Sequence, residues 1–582
     1  MNPTSTFLIS ATYTARVLCL RTLLPTGLVG MLLASVAQAQ SPIITTLSPA
    51  RNASAVPRNT EVRVGFDQPL RNTTSTQQAL KVYSQQAGGK KVGTTTVRDN
   101  TLRFTPSADF KPGEPVSVTI TTEVESQTPN PLARPQVFQF TTATAPSPGL
   151  FASGTNPTVA LGPIEVLTGD IDGDGDLDVL SANQNSSSIS VLRNDGQGSF
   201  SDRQELNADL NPQAAALGDF DQDGDLDLVV TSAPFPAPGS SIRIFLNNGQ
   251  GSFRPDQQLG VGNSPIGLAV GDVDGDGDLD LLTANSSSNS VSVRYNNGAA
   301  VFSRGQEVET NSQPSAVVLA DVNSDGTLDL LTTNRGSRSV SVRFNNGTFF
   351  SPVGQEITVG SEPISLAVND LDGDGDADLV ASNYFDGNLS VRFNDGTGFF
   401  IGGHEVRVGQ LTANLVLGDI DGDQDFDILA ASSLQNKVSV LRNSGRGTFS
   451  LYQEVPVNGA HAVALGDVDN DGTLDLLASA FIDNQLNIRF NRRALATASA
   501  AVAAQVSLYP NPASEVVQLR MPVKLAQPGG VVRVLNSLGQ VVREQDWSAS
   551  HTDLVLGPLA VGVYSVRVQT KEGVVTKRLM VR

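Results

Sequence analysis

Between residues 149 and 492 apolar positions recur in short bursts separated by Gly, Asn, Asp and Ser. Val340, Val342 and Phe344 alternate strictly with polar neighbours. A period of two predicts an extended strand with one buried face. Directly after it, Asn345-Asn346-Gly347 supplies residues that tolerate the left-handed conformation of a tight hairpin. The same text returns again and again: a segment like PIGLAVGD, an acidic loop, LDLLTAN, SVSVRFNNG, then FSPVGQEITVG. Each unit therefore predicts four short antiparallel strands in about 49 residues.

The acidic loops set the register. They begin at Asp170, Asp219, Asp272, Asp321, Asp370, Asp419 and Asp467, with intervals of 49, 53, 49, 49, 49 and 48 residues. Repeated four-stranded units are the blades of a β-propeller, whereas a linear solenoid would carry distinct polar caps at both ends. The last repeat stops after Leu486–Phe490 and lacks its outer strand, while Phe151 to Val159 stands orphaned upstream of the first. The missing strand and the orphan complete each other. The prediction is a closed, seven-bladed β-propeller over residues 149–492.

Both flanks also read as strands, so the fold class is all-β. In residues 41–143 the alternating sets are Val62, Val64 and Phe66; Leu102 and Phe104; Val116, Val118 and Ile120; Phe138 and Phe140. They predict an antiparallel β-sandwich, followed by a Pro/Ser linker at 144–148. Residues 493–504 are Ala-rich and read as a tether. Residues 505–582 hold strand-like runs at Val516–Leu519, Val531–Leu535, Val541–Arg543, Val563–Val568 and Val574–Val581, a small C-terminal β-sandwich.

Residues 1–39 read as a secretory signal peptide: Arg16 and Arg21, an apolar stretch from Leu23 to Val36, then Ala37-Gln38-Ala39. That stretch is too short to span a bilayer, and no later one resembles a transmembrane helix. Cleavage removes Cys19, the only cysteine, and moves the formal charge from −20 to −22. A chain this acidic is a poor partner for nucleic acid, which needs Lys/Arg stripes. Without thiols, and with histidine only at 404, 461 and 551, it is also poorly equipped for soft metals.

The acidic loops are the chemistry of this chain. Positions one, three, five and nine carry Asp170, Asp172, Asp174 and Asp178 in the first loop, and Asp219, Asp221, Asp223 and Asp227 in the second. The third holds Asp272, Asp274, Asp276 and Asp280; the fourth holds Asp321, Asn323, Asp325 and Asp329. Next come Asp370, Asp372, Asp374 and Asp378, then Asp419, Asp421, Asp423 and Asp427, and last Asp467, Asp469, Asp471 and Asp475. Oxygen donors on alternate residues of a tight loop suit Ca²⁺, which takes six to eight of them. Glycine at position six allows the sharp turn in every loop except the sixth, which has Gln424. The loops hold 32 of the chain's 59 carboxylates. Like charges so close repel by several kcal/mol at intermediate dielectric, so a merely solvated turn is a poor explanation. About seven Ca²⁺, one per blade, would bring the mature charge to about −8.

The repeats resemble the FG-GAP/VCBS family, whose integrin-type members are seven-bladed propellers with calcium in DxDxDGxxD loops; the resemblance implies ligand binding or adhesion. The phrases SPARNASAVPRNTEVRVGFDQPL, NTLRFTP and FQFTT resemble bacterial Ig-like domains. Leu508-Tyr509-Pro510-Asn511-Pro512-Ala513, VRVLNSLGQVV, Gly562-Val563-Tyr564 and Lys577-Arg578-Leu579-Met580-Val581 resemble the type A sorting domain of the type IX secretion system. That resemblance implies passage to the periplasm, export across the outer membrane by the type IX machinery, and release or display at the cell surface.

Two functions follow as expectations. The first is a non-catalytic binding or adhesion module for a protein or glycan ligand. By strand order, the loops joining strands two to three and four to one lie on the face opposite the acidic loops. That face collects Phe235, Arg335, Arg338, Tyr384, Phe385, His461 and Phe481. The alternative is a polysaccharide-degrading lyase or hydrolase on a propeller scaffold. Against it, no GxSxG elbow occurs, the histidines are dispersed, and no repeat carries a catalytic insertion.

Overall fold

A computed structural model describes residues 40–582 except 87–88, 128–129, 153, 234–238, 492–499, 523–524, 526–529, 537–540, 548–550, 558 and 571–572. The signal-peptide reading and Phe235 lie outside the described residues. Seven four-stranded antiparallel sheets follow one another between Gly154 and Arg489. In each, an inner strand leads into the acidic loop, and the second strand starts at the loop's ninth residue. In blade three, for example, the strands are Pro265–Gly271, Asp280–Asn285, Ser290–Tyr295 and Ser303–Glu309. Second strands such as Asp280–Asn285 are buried along their whole length, because neighbouring blades cover both faces. Outer strands such as Phe400–Arg407 have one mostly exposed face. The inner strands pack side by side in cyclic order, blade seven against blade one. Where the inner strands end the blades pack closely: a Cβ on Gly418 would lie 2.5 Å from Leu465 Cδ1 of the next blade, so a larger residue there would have to displace that leucine.

The ring closes with an N-terminal strand. Gly154 and Thr155 pair antiparallel with Arg489 and Ile488, which gives blade seven its outer strand. Phe151 confirms the register through a bracket that recurs elsewhere. In blades four and five, a glutamine of the preceding blade bonds both backbone groups of Phe350 (Gln306) and Phe400 (Gln355), each at 2.8 Å. Gln453 of blade six does the same to Phe151, at 3.0 and 2.6 Å. His461 of blade seven adds a bond from Nδ1–H to the Ile164 carbonyl of blade one, at 3.0 Å. Burial holds its pKa below the usual range, so the ring stays neutral.

A second brace runs around the whole ring. The asparagine after each third strand (194, 247, 296, 345, 394, 443 and 491) donates from Nδ2 to the carbonyl of loop position two in the preceding blade, at 2.6–2.8 Å. Its first member joins Asn194 to Val468, across the closure. Asn345, expected only to favour a turn, is one of these braces.

The N-terminal domain is a sandwich of a four-stranded and a five-stranded sheet, with Val62, Val64, Phe66, Phe104, Phe110, Val118, Phe138 and Phe140 in its core. The C-terminal domain packs a three-stranded against a four-stranded sheet. Its core includes Val502 and Val506. Ala500–Ala503 is a short helix, so the C-terminal half of the expected Ala-rich tether belongs to the folded domain. Residues 144–148 are not a free linker either. Ala145 N–H bonds the Gly472 carbonyl at 2.7 Å and Ser147 N–H the Asp421 carbonyl at 3.0 Å. Ser147 Oγ bonds Ile420 O at 2.7 Å, and Arg442 and Tyr452 both donate to the Pro148 carbonyl. The segment is a strap bolted across blades six and seven.

Candidate metal centres

Each acidic loop is built from turns in which an aspartate caps the backbone ahead of it. In blade five, Asp370 Oδ1 accepts from Gly373 N–H at 2.8 Å and Oδ2 from Gly375 N–H at 2.9 Å. Asp372 Oδ1 accepts from Asp374 N–H at 3.3 Å, and Asp374 Oδ1 from Asp376 N–H at 2.9 Å. These turns fold nine residues into a cup and leave further carboxylate lone pairs facing its centre. Position six has a left-handed backbone throughout, with φ from 90° to 97° at the glycines and 79° at Gln424. The sixth loop closes as the others do: Gly422 and Gln424 N–H reach Asp419 at 2.8 and 3.2 Å.

Among the described residues, six groups bring one carboxylate oxygen each to within 4.8 Å of one another, among them Asp170/Asp172/Asp178, Asp219/Asp221/Asp227, Asp272/Asp274/Asp276, Asp370/Asp372/Asp374 and Asp419/Asp421/Asp423. Two buried oxygens, Asp172 Oδ1 and Asp219 Oδ1, have no hydrogen-bond partner among the described residues. Such atoms cost about 1–3 kcal/mol each unless something satisfies them. All-oxygen donors with orphaned buried anions fit a hard divalent cation.

Position nine has a second role that the motif alone does not disclose. In every loop one of its oxygens accepts from the N–H of position two and the other from the brace asparagine's N–H. For Asp378 the distances are 3.0 and 2.8 Å. This aspartate ties the loop to its own blade whatever else it binds. Burial pushes the pKa of Asp227, Asp329, Asp427 and Asp475 up to about 8, and those of Asp178 and Asp378 to about 7, against those hydrogen bonds. Positive charge inside the cup would let these groups ionise. Arg193 and Arg442 supply some from outside, on Asp172 at 3.5 Å and on Asp421 at 3.1 Å.

With that geometry established, comparison with known proteins assigns the parts. The FG-GAP-like repeat profile matches residues 170–230, 235–283, 272–332, 325–381, 370–430 and 419–478, over half of the chain. The chain belongs to the FG-GAP-like repeat family. Its FG-GAP-like repeats are flanked by a bacterial Ig-like domain at 38–142 and a secretion system C-terminal sorting domain at 507–582. The sorting domain marks a secreted protein handled by the type IX machinery. Among the described residues no helix is long and apolar enough to cross a membrane. No curated protein matches the chain. Similar solved structures include BBS1N in complex with ARL6DN (14% identity, TM-score 0.44, covering 59% of this chain and 97% of that one). A functionally unknown protein from Desulfotomaculum acetoxidans is also similar (14%, 0.41, 54% and 92%). So is an Agrocybe aegerita lectin that recognises non-reducing terminal N-acetylglucosamine (18%, 0.38, 69% and 99%). At these scores the likenesses carry no argument about ligands.

The largest departure from expectation is where the FG-GAP-like repeats meet the Ig-like domain. That domain and its strap sit on the acidic-loop face and bond to the loops themselves. Thr119 Oγ1 donates to Asp272 at 2.6 Å and Arg51 to Asp321 at 2.6 Å. Thr144 Oγ1 bonds Asp419 at 3.2 Å, and Lys90 N–H reaches Asp219 at 3.4 Å. Val137 N–H bonds the Gly326 carbonyl at 2.7 Å, while Tyr83 OH and Lys111 Nζ donate to the carbonyls of Gly277 and Gly175. None of these bonds reaches the loop of blade five. A generic spacer has no reason to present Arg51, Lys90 and Lys111 to an anionic rim; charge complementarity gives one.

The opposite face stays open. Arg335 is paired with Glu362, His461 stacks on Phe481 with centroids 6.3 Å apart, and Tyr384 stands against Phe385 at 5.4 Å. Arg338 and Phe385 are exposed. Four exposed apolar residues there escaped the sequence reading: Leu161, Leu210, Leu434 and Ile482. With Phe385 they place one apolar tip on each of blades five, six, seven, one and two, all more than half exposed. In blades three and four the second-to-third-strand loops are Ser286–Asn289 and Arg335–Arg338, which carry no apolar residue.

Proposed function

We propose that this chain is a secreted or cell-surface, calcium-stabilised propeller that binds a protein or glycan ligand non-catalytically through the face opposite its acidic loops. One observation carries the choice of face: the acidic rim is occupied by the chain's own Ig-like domain, while the other rim bears five solvent-exposed apolar tips in neighbouring blades. Loops on a rigid scaffold are where recognition concentrates, and contiguous exposed apolar residues mark interaction sites. Ca²⁺ in the acidic cups would neutralise the rim and fix the disc; the ligands would be the aspartates, and Asn323, at positions one, three, five and nine. Residues 1–39 would direct the chain to the periplasm and residues 505–582 would carry it across the outer membrane.

The test is a glycan and extracellular-protein array probed with residues 40–582 in calcium and in chelator. A calcium-dependent hit should weaken about tenfold or more in Phe385→Ala/Ile482→Ser, the loss typical of an interface anchor, with unchanged melting. A hit that survives the double substitution moves the site elsewhere. Turnover of an arrayed polysaccharide would replace the binding reading by an enzymatic one.

A further inference from the structure

We propose that calcium binding and seating of the Ig-like domain are thermodynamically linked, with Thr119 and Tyr83 as the groups through which that domain tightens the calcium site of blade three. The proposal rests on the calcium reading above and assigns the Ig-like domain a task inside it. Asp272, at position one of that loop, is buried, and so is Thr119, which bonds it at 2.6 Å. The carboxylate also accepts Gly275 N–H at 2.7 Å and Gly277 N–H at 2.9 Å. Tyr83, buried among Phe220, Leu279 and Leu281, donates its hydroxyl to the Gly277 carbonyl. Two buried hydroxyls from another domain therefore hold the first ligand position and the turn at position six before any ion arrives.

Blade five is the internal control. Its loop has the same five aspartates, but among the described residues the Asp370 carboxylate accepts only from its own loop and from no group of the Ig-like domain. A ligand set that is already ordered loses less freedom on binding, so loop three should fill at lower calcium than loop five. Linkage is reciprocal. Whatever factor the docked domain contributes to calcium affinity, calcium returns to docking, so emptying the rim loosens the domain that covers it.

The experiment is hydrogen exchange on residues 40–582 across a calcium titration, following peptides over 272–280, 370–378 and 80–86. In the parent chain, protection of 272–280 and 80–86 should rise together, at lower calcium than 370–378. Thr119→Val and Tyr83→Phe, both near-isosteric, should each move the 272–280 midpoint to about three- to tenfold higher calcium, the worth of one net hydrogen bond. The 370–378 midpoint should stay, and Thr119→Ser should restore the parent value. Unmoved midpoints, or equal shifts in both loops, overturn the linkage while leaving calcium in place. If no loop peptide responds to calcium at all, the calcium reading falls first and the linkage with it.

Discussion

The two rims of the disc are made by the same repeats and have opposite characters. On the acidic rim every blade offers a nine-residue cup tied to the ring by an asparagine brace, and the Ig-like domain or its strap bonds to the cups of every blade but the fifth. On the other rim the loops differ from blade to blade, their backbones are short turns, and Phe385, Leu434, Ile482, Leu161 and Leu210 stand in solvent. The first rim must satisfy buried carboxylates and backbone N–H groups at once, which leaves little latitude for other residues. The second has only to close a hairpin, so its side chains are free to serve a partner. Uniformity within the chain marks the scaffold, and variation marks the surface it presents.

The comparison fails if the acidic rim is not held by cations, and chelation is the harshest way to ask. With seven cups each at ten times their Kd, calcium would contribute about 1.4 kcal/mol per site, and on the order of 10 kcal/mol together. Calorimetry of residues 40–582 in chelator should show melting lowered by well over ten degrees. An unchanged transition would mean that the rim is stabilised by hydrogen bonds alone.

A pair of substitutions in blade five separates those contributions. Asp378 holds two backbone N–H groups in a buried site, so Asp378→Ala should cost about 3 kcal/mol or more even in chelator. Asp374 is exposed, and its Oδ1 accepts from Asp376 N–H within the loop. Asp374→Ala should cost little in chelator and show its whole effect as lost calcium. Equal losses from both in chelator would show that position nine has no role beyond metal binding.

How far could this have been read in advance? The strand alternation, the loop register and the closure by residues near Phe151 were visible because period-two patterning and a repeat of 49 residues are local signals. The docking of the Ig-like domain was not. Its contacts come from Arg51, Tyr83, Thr119 and Lys111, four residues on different strands and turns with no common spacing, and each reads alone as an ordinary surface or core residue. TAPSP has a linker's composition, and only the carbonyls of blades six and seven make it a strap. The aspartate motif was legible as oxygen chemistry, but not the structural hold on position nine, because its partner is an asparagine 16 residues on (20 in blade two) that reads as turn punctuation. Leu434 and Ile482 give no signal in the sequence, because one apolar residue in a polar loop is unremarkable until the ring lines up five of them.

The inner strand of blade one offers a gentler probe. Glu165 lies on the inner strand of blade one, where burial pushes its carboxyl up to about 7 against a single bond from Val166 N–H at 3.3 Å. A carboxyl whose folded pKa is raised stabilises the fold fully below its unfolded value and loses that contribution as pH rises through the folded one. Stability at saturating calcium should therefore fall between about pH 4.5 and 7, by up to about 3 kcal/mol. Glu165→Gln should flatten that part of the profile. A profile that keeps its slope in the variant would place the titrating group elsewhere.

The smallest effect asks how strictly the acidic rim enforces its shape. Gln424 takes the left-handed backbone that glycine supplies in the other six loops, at φ 79°, and its N–H reaches Asp419 at 3.2 Å, against 2.9–3.1 Å where that bond is made by glycine. A side chain in that region costs roughly 1–2 kcal/mol. Glycine would remove the strain but adds freedom to the unfolded chain worth about 0.5–1 kcal/mol. Gln424→Gly should therefore stabilise the chain by about 0.5 kcal/mol, while Gln424→Ala, which keeps a Cβ, should gain nothing. Denaturant unfolding of the two variants in chelator isolates the backbone term from calcium. If both gain equally, the side chain rather than the left-handed backbone is the burden on the sixth loop, and the rim tolerates more than its repetition suggests.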